Sequence, residues 1–382
     1  MRDIRVLLAV DSFKGSAGSS RVEDLIELGV RRVRPGAEVL KYPVADGGEG
    51  TLEAIMTAQG FQGRSVRVRG PLGEPVSAKY ALGPGQVAVI EMAQSSGLGL
   101  MDQSSENARK ASTYGVGQVI MDAVEAGARH ILVGLGGSAT SDGGTGMAKA
   151  LGVRFLDAQG DEVADGLAGL ESLVAVDESR LDARLREVEV TALTDVSNPL
   201  TGPAGAVHVY GPQKGMGAEE LDKLDSWMDA YGRVLRHAGH DVANLPGAGA
   251  AGGLGAALAA FCGASIESGI DQVLDMIGLE DVMDGVDLVI TGEGRMDSQS
   301  AHGKAPVGVA QRAKRHGLPV VAVVGSRADD LGDLYERGID LVISAVTQPM
   351  SLHQAIARVD TALPLAGESA IRAYLLGAPK RA

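Results

Sequence analysis

Carboxylates and cations placed beside glycines at the ends of apolar runs are where this chain could do chemistry. Asp11-Ser12-Phe13-Lys14 follows the apolar run Ile4–Val10. A lysine at such a strand end can neutralise a phosphate or carboxylate oxygen, and Ser12 can hold a substrate polar group. The bland alternative for Lys14 is a solvated loop side chain. Asp46-Gly47-Gly48-Glu49-Gly50-Thr51 ends the next predicted strand at the same edge. Gly47 and Gly48 let a ligand approach the backbone, and Asp46 could hold Mg²⁺ or substrate hydroxyls. Capping of the following helix is the competing use of Asp46 and Glu49. Asp195 and Asp297 each lie just past a strand end among small polar residues, which makes them the candidate general bases. Either could equally form a turn. Glu293 is a candidate magnesium ligand through water, and Arg295, two residues on, a substrate contact. His302 could touch a ligand or close a loop, and Gly303-Lys304 sets a second cation near a helix start.

A longer glycine-rich stretch, Gly134–Gly146, reads GLGGSATSDGGTG directly after His130-Ile131-Leu132-Val133. Strand, glycine loop, helix is an arrangement that favours anions, through unpaired N–H groups and the helix dipole. The alternative is a tight connection in which glycine only turns the chain. The polar residues Ser138, Thr140, Ser141, Asp142 and Thr145 favour a phosphate or carboxylate site.

The elements that must position these groups alternate. Ile4–Val10 and Val39–Val44 read as strands buried on both faces, with helices after each. The first helix is expected to start with a capping box, Ser20 and Glu23. Arg64–Arg69, Val76–Leu82 and Val87–Met92 instead alternate like antiparallel hairpins. Residues 217–239 form a charged amphipathic helix around Leu221, Leu224, Trp227 and Met228. From Val286 the buried strands return, at Val286–Thr291, Pro319–Val324 and Ile339–Val346. The expected fold is therefore α/β with two domains. Residues 1–66 and 285–382 make a discontinuous, Rossmann-like parallel α/β/α sheet, and residues 67–284 an inserted mixed α/β domain.

A chain of 382 residues with 3% aromatics must build its core from aliphatic side chains. Its formal charge of −14 disfavours nucleic-acid and anionic-membrane surfaces. Residues 245–266 are uncharged over a membrane-spanning length, but their Gly/Ala composition suits a buried helix better. The single cysteine, Cys262, fits a reducing cytosol, and Ile4–Val10 is too short for a signal sequence, so a cytoplasmic location is expected. Gly303-Lys304 lacks the rest of a Walker A motif, and residues 247–252 spell G-x-G-x-x-G without a preceding strand. Gly134, Gly136 and Ala139 fit a looser dinucleotide variant, but the Ser-Asp-Gly-Gly that follows delays the helix. A dinucleotide-dependent oxidoreductase of small hydroxy acids and a non-catalytic sugar-acid sensor are the competing readings.

DSFKGS (11–16), PVADGGEGT (43–51), GLGGSATSDGGTGMAKALG (134–152), TDVSNPLTG (194–202), GPQKGM (211–216), PGAGAAGGLGAAL (246–258) and TGEGRMDSQSAHGK (291–304) occur in this order along the chain. Together they resemble the bacterial type-1 glycerate kinase family. The resemblance implies ATP-dependent, Mg²⁺-assisted phosphorylation of D-glycerate, usually to 2-phosphoglycerate, in glyoxylate–glycerate organic-acid metabolism. It also implies two α/β domains with the active site in the cleft between them. Two departures stand out: Val116-Gly117-Gln118 where the family often has Thr-Gly-Glu, and Ser141 where it often has Asn. On this reading Gly136, Gly137, Ser138, Thr140, Gly143 and Gly144, with Gly249, Gly252 and Gly253, bind nucleotide phosphates through backbone N–H groups. Lys14 balances charge, Asp195 or Asp297 accepts the hydroxyl proton, and Asp46 and Glu293 hold Mg²⁺. Ser12, Asp46, Gly47, Gly48 and Arg295 contact glycerate. ATP and D-glycerate are the expected small-molecule partners, without nucleic acid or membrane, and a homodimer is kept open.

Overall fold

The computed structural model describes residues 3–57, 60–301 and 304–377. The chain forms two compact units, Met1–Asp46 with Glu53–Gln59 and Ile270–Ala382, and Gly47–Leu52 with Gly60–Gly269.

The first unit is built on a five-stranded sheet in the order Leu341–Ser344, Val320–Val324, Leu288–Gly292, Arg5–Val10, Glu38–Lys41. Every pairing is parallel, with Leu8 opposite Ile290 and Val10 opposite Gly292. Strands buried on both faces cannot alternate, which is why Arg5–Val10, Leu288–Gly292 and Val320–Val324 are nearly continuous apolar runs. Helix Ser19–Val33 packs along helix Val359–Gly377, and a Cβ on Gly29 would sit 2.0 Å from the Pro364 carbonyl. Two backbones that close admit only glycine at the crossing.

The expected capping box is absent. Helix Ser19–Val33 begins after Gly18, and the Ser20 N–H donates to Glu53 Oε1 at 3.1 Å. Glu23 turns inward instead, where its Oε1 accepts the Val10 N–H at 3.2 Å.

The second unit carries a six-stranded mixed sheet, Ser265–Glu267, Glu189–Leu193, His130–Gly134, Val87–Glu91, Pro75–Gly83, Gln62–Arg69. The first four strands are parallel, and the last two join as antiparallel hairpins. Hydrogen bonding of Gln62–Arg69 to Pro75–Gly83 places residues 62–66 in this unit, although the sequence grouped them with the first. Residues 270–284 move the other way: Gly308 packs where a Cβ would meet Ile270 Cγ1 at 2.7 Å. Helix Ala250–Cys262 is almost wholly buried, as its Gly/Ala composition suggested. Among the described residues no helix is long and apolar enough to cross a membrane.

Candidate active site

In the first unit, parallel pairing of Arg5–Val10 with Leu288–Gly292 brings the segments that follow them to one sheet edge. The Asp11 N–H donates to the Gly292 carbonyl at 3.0 Å, so Asp11–Lys14 runs beside Glu293–Arg295. A tight loop follows: the Phe13 N–H bonds the Ala17 carbonyl at 2.8 Å, and the Ser16 N–H the Phe13 carbonyl at 2.7 Å. Lys14 lies at the exposed tip of that loop while Asp11 and Ser12 are buried.

These residues line a cavity of about 650 Å³, together with Asp46, Glu293, Arg295 and Lys304. Three carboxylates share it. Burial, and then the negative charge of Asp46, pushes the Asp11 acid up to about 8, against the pull of Lys14 and the Ser12 N–H. Burial likewise raises Glu293, opposed by a hydrogen bond from Ser300 and by Lys304, whose Nζ lies 3.8 Å from Glu293 Oε2. Buried polar atoms ordinarily find a partner. Among the described residues, Ser12 Oγ, Thr291 Oγ1 and Glu293 Oε1 are buried at this edge without one. Such a group of carboxylates, cations and unsatisfied oxygens suits a charged ligand and a cation.

Arg295 is exposed, with Nε 3.7 Å from Asp297 Oδ2, and the Asp297 N–H donates to Ser300 Oγ at 3.2 Å. The first unit thus brings together Ser12, Lys14, Asp46, Glu293 and Arg295, all of them expected from sequence. His302 and Gly303 lie outside the described residues. Among the described residues no cluster of three or more His, Cys, Asp or Glu is arranged to hold a metal ion.

The glycine loop of the second unit has a different character. Asp142 is fully buried, and its Oδ2 accepts the Thr113 N–H and hydroxyl, both at 2.8 Å, and the Gly146 N–H at 3.1 Å. Its Oδ1 accepts the Gly144 N–H at 3.0 Å. The Gly143 N–H donates to the Gly252 carbonyl at 2.9 Å, and the Gly249 N–H to the Asn198 carbonyl at 3.0 Å. Gly252 itself packs so closely that a Cβ would come 2.0 Å from the Thr140 carbonyl, and one on Gly253 2.7 Å from Gly143 Cα. Ser138 Oγ and Thr140 Oγ1 are 3.0 Å apart and buried.

The expected phosphate cradle is therefore largely closed on itself. Gly249, Gly252 and Gly253 pack against neighbouring backbone, and Gly143 and Gly144 against the Tyr231 and Ala257 side chains, so their surroundings are protein. Gly137 is exposed and Gly136 half-buried, leaving that tip open. Gly47 and Gly48 also serve close approach: Cβ atoms on Gly134 and Gly136 would meet the Gly47 carbonyl at 2.3 Å and Gly48 Cα at 2.4 Å. Asp195 Oδ1 accepts the Ser268 hydroxyl at 3.1 Å and the Gly269 N–H at 3.0 Å, the first residue of helix Gly269–Met276. Gln118, at the departure from the family pattern, accepts the Arg69 N–H at 2.8 Å, a structural duty.

Asp11 and Lys214 received no role from the sequence, and Asp142 only a place among the polar residues of an anion site. Asp11 stands at a strand end directly before Ser12, in the same segment as Lys14. Asp142 is the hub of the glycine loop. Lys214 is fully buried beneath it, with Nζ donating to the Thr140 carbonyl and to Ser141 Oγ at 3.3 Å. Burial lowers Lys214 to about 7, while Asp142 pulls the other way. Only its flanking Gly-Pro-Gln and Gly-Met hinted at an enclosed site.

Comparison with known proteins identifies the family. Residues 6–375 match the sequence model of the glycerate kinase family. A glycerate 2-kinase of Escherichia coli K12 is 45% identical over 354 residues, 92% of this chain and 93% of that protein. A glycerate kinase of Bacillus subtilis 168 is 45% identical over 356 residues, again 92% and 93%. A crystal structure described as a glycerate kinase 2 from Salmonella typhimurium LT2 superposes with a TM-score of 0.83 at 42% identity, covering 98% of this chain and 99% of that one. The chain belongs to the glycerate kinase family.

Proposed function

We propose that the chain is an ATP-dependent kinase that phosphorylates D-glycerate, with 2-phosphoglycerate as product. The observation that carries this reading is the polar end of the first unit's cavity, where Lys14 and Lys304 share one space with Asp11, Asp46 and Glu293. Phosphoryl transfer asks a protein mainly for positioning and charge neutralisation. Lys14 balances charge on the transferring group, and Ser12 and Arg295 hold glycerate. The family match and the Escherichia coli relative, a glycerate 2-kinase, support glycerate and position 2.

Mg²⁺ belongs to the same reading. Asp46 and Glu293 would hold it, and the buried, unsatisfied Glu293 Oε1 is the feature that suits a cation. Kinase sites commonly bind Mg²⁺ through one or two carboxylates plus phosphates and water. When bound, the ion neutralises phosphate charge. Asp297 is the better supported base, because Asp195 Oδ1 is occupied in holding the start of a helix. A cytoplasmic location is part of this reading, supported by the free Cys262.

The test is incubation with D-glycerate, ATP and Mg²⁺, followed by NMR to place the phosphate on carbon 2 or carbon 3. Consumption of ATP with phosphate on carbon 2 supports the proposal. No glycerate-dependent ADP release overturns it, and phosphate on carbon 3 overturns the regiochemistry.

A further inference from the structure

The cavity of the first unit has a second half that phosphoryl transfer does not use. Its lining continues from the polar residues into Val346, Met350, Leu352, Ala355, Ile356 and Ala362. The order of the sheet explains the layout. Asp11 follows Arg5–Val10 and Glu293 follows Leu288–Gly292, whereas Ala345 and Val346 follow the edge strand Leu341–Ser344. Three strand spacings separate Arg5–Val10 from Leu341–Ser344, about 14 Å at ~4.8 Å each.

The lining therefore grades along one edge, from carboxylates and lysines over the central strands to a mostly apolar wall, interrupted by Arg358 and Thr361, over the edge strand. Helix Leu352–Ala357 and the start of helix Val359–Gly377 supply the far wall. Leu352 is 77% exposed into this space, an unusual surface for a leucine beside other apolar groups. A volume of about 650 Å³ falls within the range for small-molecule and cofactor sites. Ligands of open parallel sheets bind at this carboxyl edge.

The geometry points to this cavity as the nucleotide site, with the purine base of ATP in the apolar half and its phosphates directed to Lys14 and Lys304. A nucleoside triphosphate has this same polarity, a flat apolar base at one end and a polyanion at the other. In the glycine loops at 134–146 and 247–255, the N–H groups of Gly143, Gly144 and Gly249 already have protein acceptors. The inference rests on the kinase reading for its choice of ATP. It moves the nucleotide from the second unit, where the sequence placed it, to the first.

Titration calorimetry with ADP and with inorganic tripolyphosphate tests it on the full chain. Ala355→Trp fills the apolar half, and Leu352→Glu puts a carboxylate on an exposed position of the same wall, where folding is not at stake. We expect ADP to bind Ala355→Trp at least about tenfold more weakly and Leu352→Glu several-fold more weakly. Tripolyphosphate, which has no base to seat in the apolar half, should keep its affinity within about twofold in Ala355→Trp and, at high salt where the introduced charge is screened, in Leu352→Glu. Unchanged ADP affinity in both variants overturns the inference. So does an equal loss of ADP and tripolyphosphate affinity. A wild-type protein that binds ADP with these variant effects but does not phosphorylate D-glycerate would retain the nucleotide site and sink the glycerate assignment alone. Glycerate phosphorylation with ADP binding untouched by the variants does the reverse.

Discussion

Glu23 Oε1 accepts the Val10 N–H at 3.2 Å, so a helix carboxyl group fixes the end of the strand that delivers Asp11. Glu23 is fully buried, its second oxygen has no hydrogen-bond partner among the described residues, and burial raises its acid well above 4.5. Below that ordinary value both folded and unfolded chains hold the proton. As pH rises, the unfolded chain releases it first, so folding stability falls until the native group ionises too. Glu23→Gln keeps an acceptor for Val10 and removes the titration. Its melting temperature should exceed that of the wild type by a margin that widens above pH 4.5, reaching about a few degrees. A pH-independent difference in thermal melts from pH 4 to 8 would count against this account.

Asp142 makes a stronger claim on stability than on chemistry. Truncation to Ala strands the Thr113, Gly144 and Gly146 N–H groups and leaves buried Lys214 without its neighbouring carboxylate. Losing one partner of a buried charged network costs about 3–5 kcal/mol. Urea titration of Asp142→Ala should show a loss of that order at unchanged m-value. A loss under 1 kcal/mol, roughly that of one ordinary hydrogen bond, would mean the loop does not depend on this hub.

Two glycines with positive φ separate packing from backbone freedom. Gly15 has φ +76° with nothing near its missing Cβ, whereas Gly252 has φ +68° with the Thr140 carbonyl 2.0 Å away. Gly15→Ala should cost about 1 kcal/mol through backbone strain alone. Gly252→Ala adds a clash that only movement of the 134–146 loop can relieve, and should cost well over 2 kcal/mol, as roughly expected for overpacking. Equal midpoints in parallel urea titrations would refute the distinction.

Gly252 also marks the limit of what could be read from the sequence. Arg5–Val10, Leu288–Gly292 and Val320–Val324 were legible because a strand covered on both faces writes its burial as an unbroken apolar run. The hairpins at 62–83 were legible through alternation, and Lys14, Asp46 and Glu293 through their places at strand ends. Glycine was not, because close approach to a ligand and close approach to another backbone require the same missing Cβ. Gly252 and Gly143 therefore looked like a phosphate loop and proved to be each other's packing partners. Glu23 stood three residues after Ser20, the spacing of a capping box, yet its actual partner lies across a loop at Val10. The role of Lys214 depends on segments more than seventy residues apart meeting, as its Ser141 contact shows. Local spacing carries no trace of that.

Catalytic assignment then turns on whether a side chain supports the fold or the reaction. Lys14 is exposed at a loop tip, so Lys14→Ala should leave stability within about 0.5 kcal/mol. On the role proposed for its charge, kcat/KM for glycerate phosphorylation should nonetheless drop at least about 100-fold. Asp195→Asn and Asp297→Asn should diverge. Asp195 holds the Gly269 N–H through an oxygen that Asn also offers, so its variant should keep its stability with a modest change in kcat. Asp297→Asn should reduce kcat by about 10²–10⁴, the usual contribution of a general base, with little change in urea midpoint. If Asp195→Asn carries the larger kcat defect at undiminished stability, the base is Asp195, and the helix contact is incidental to its role.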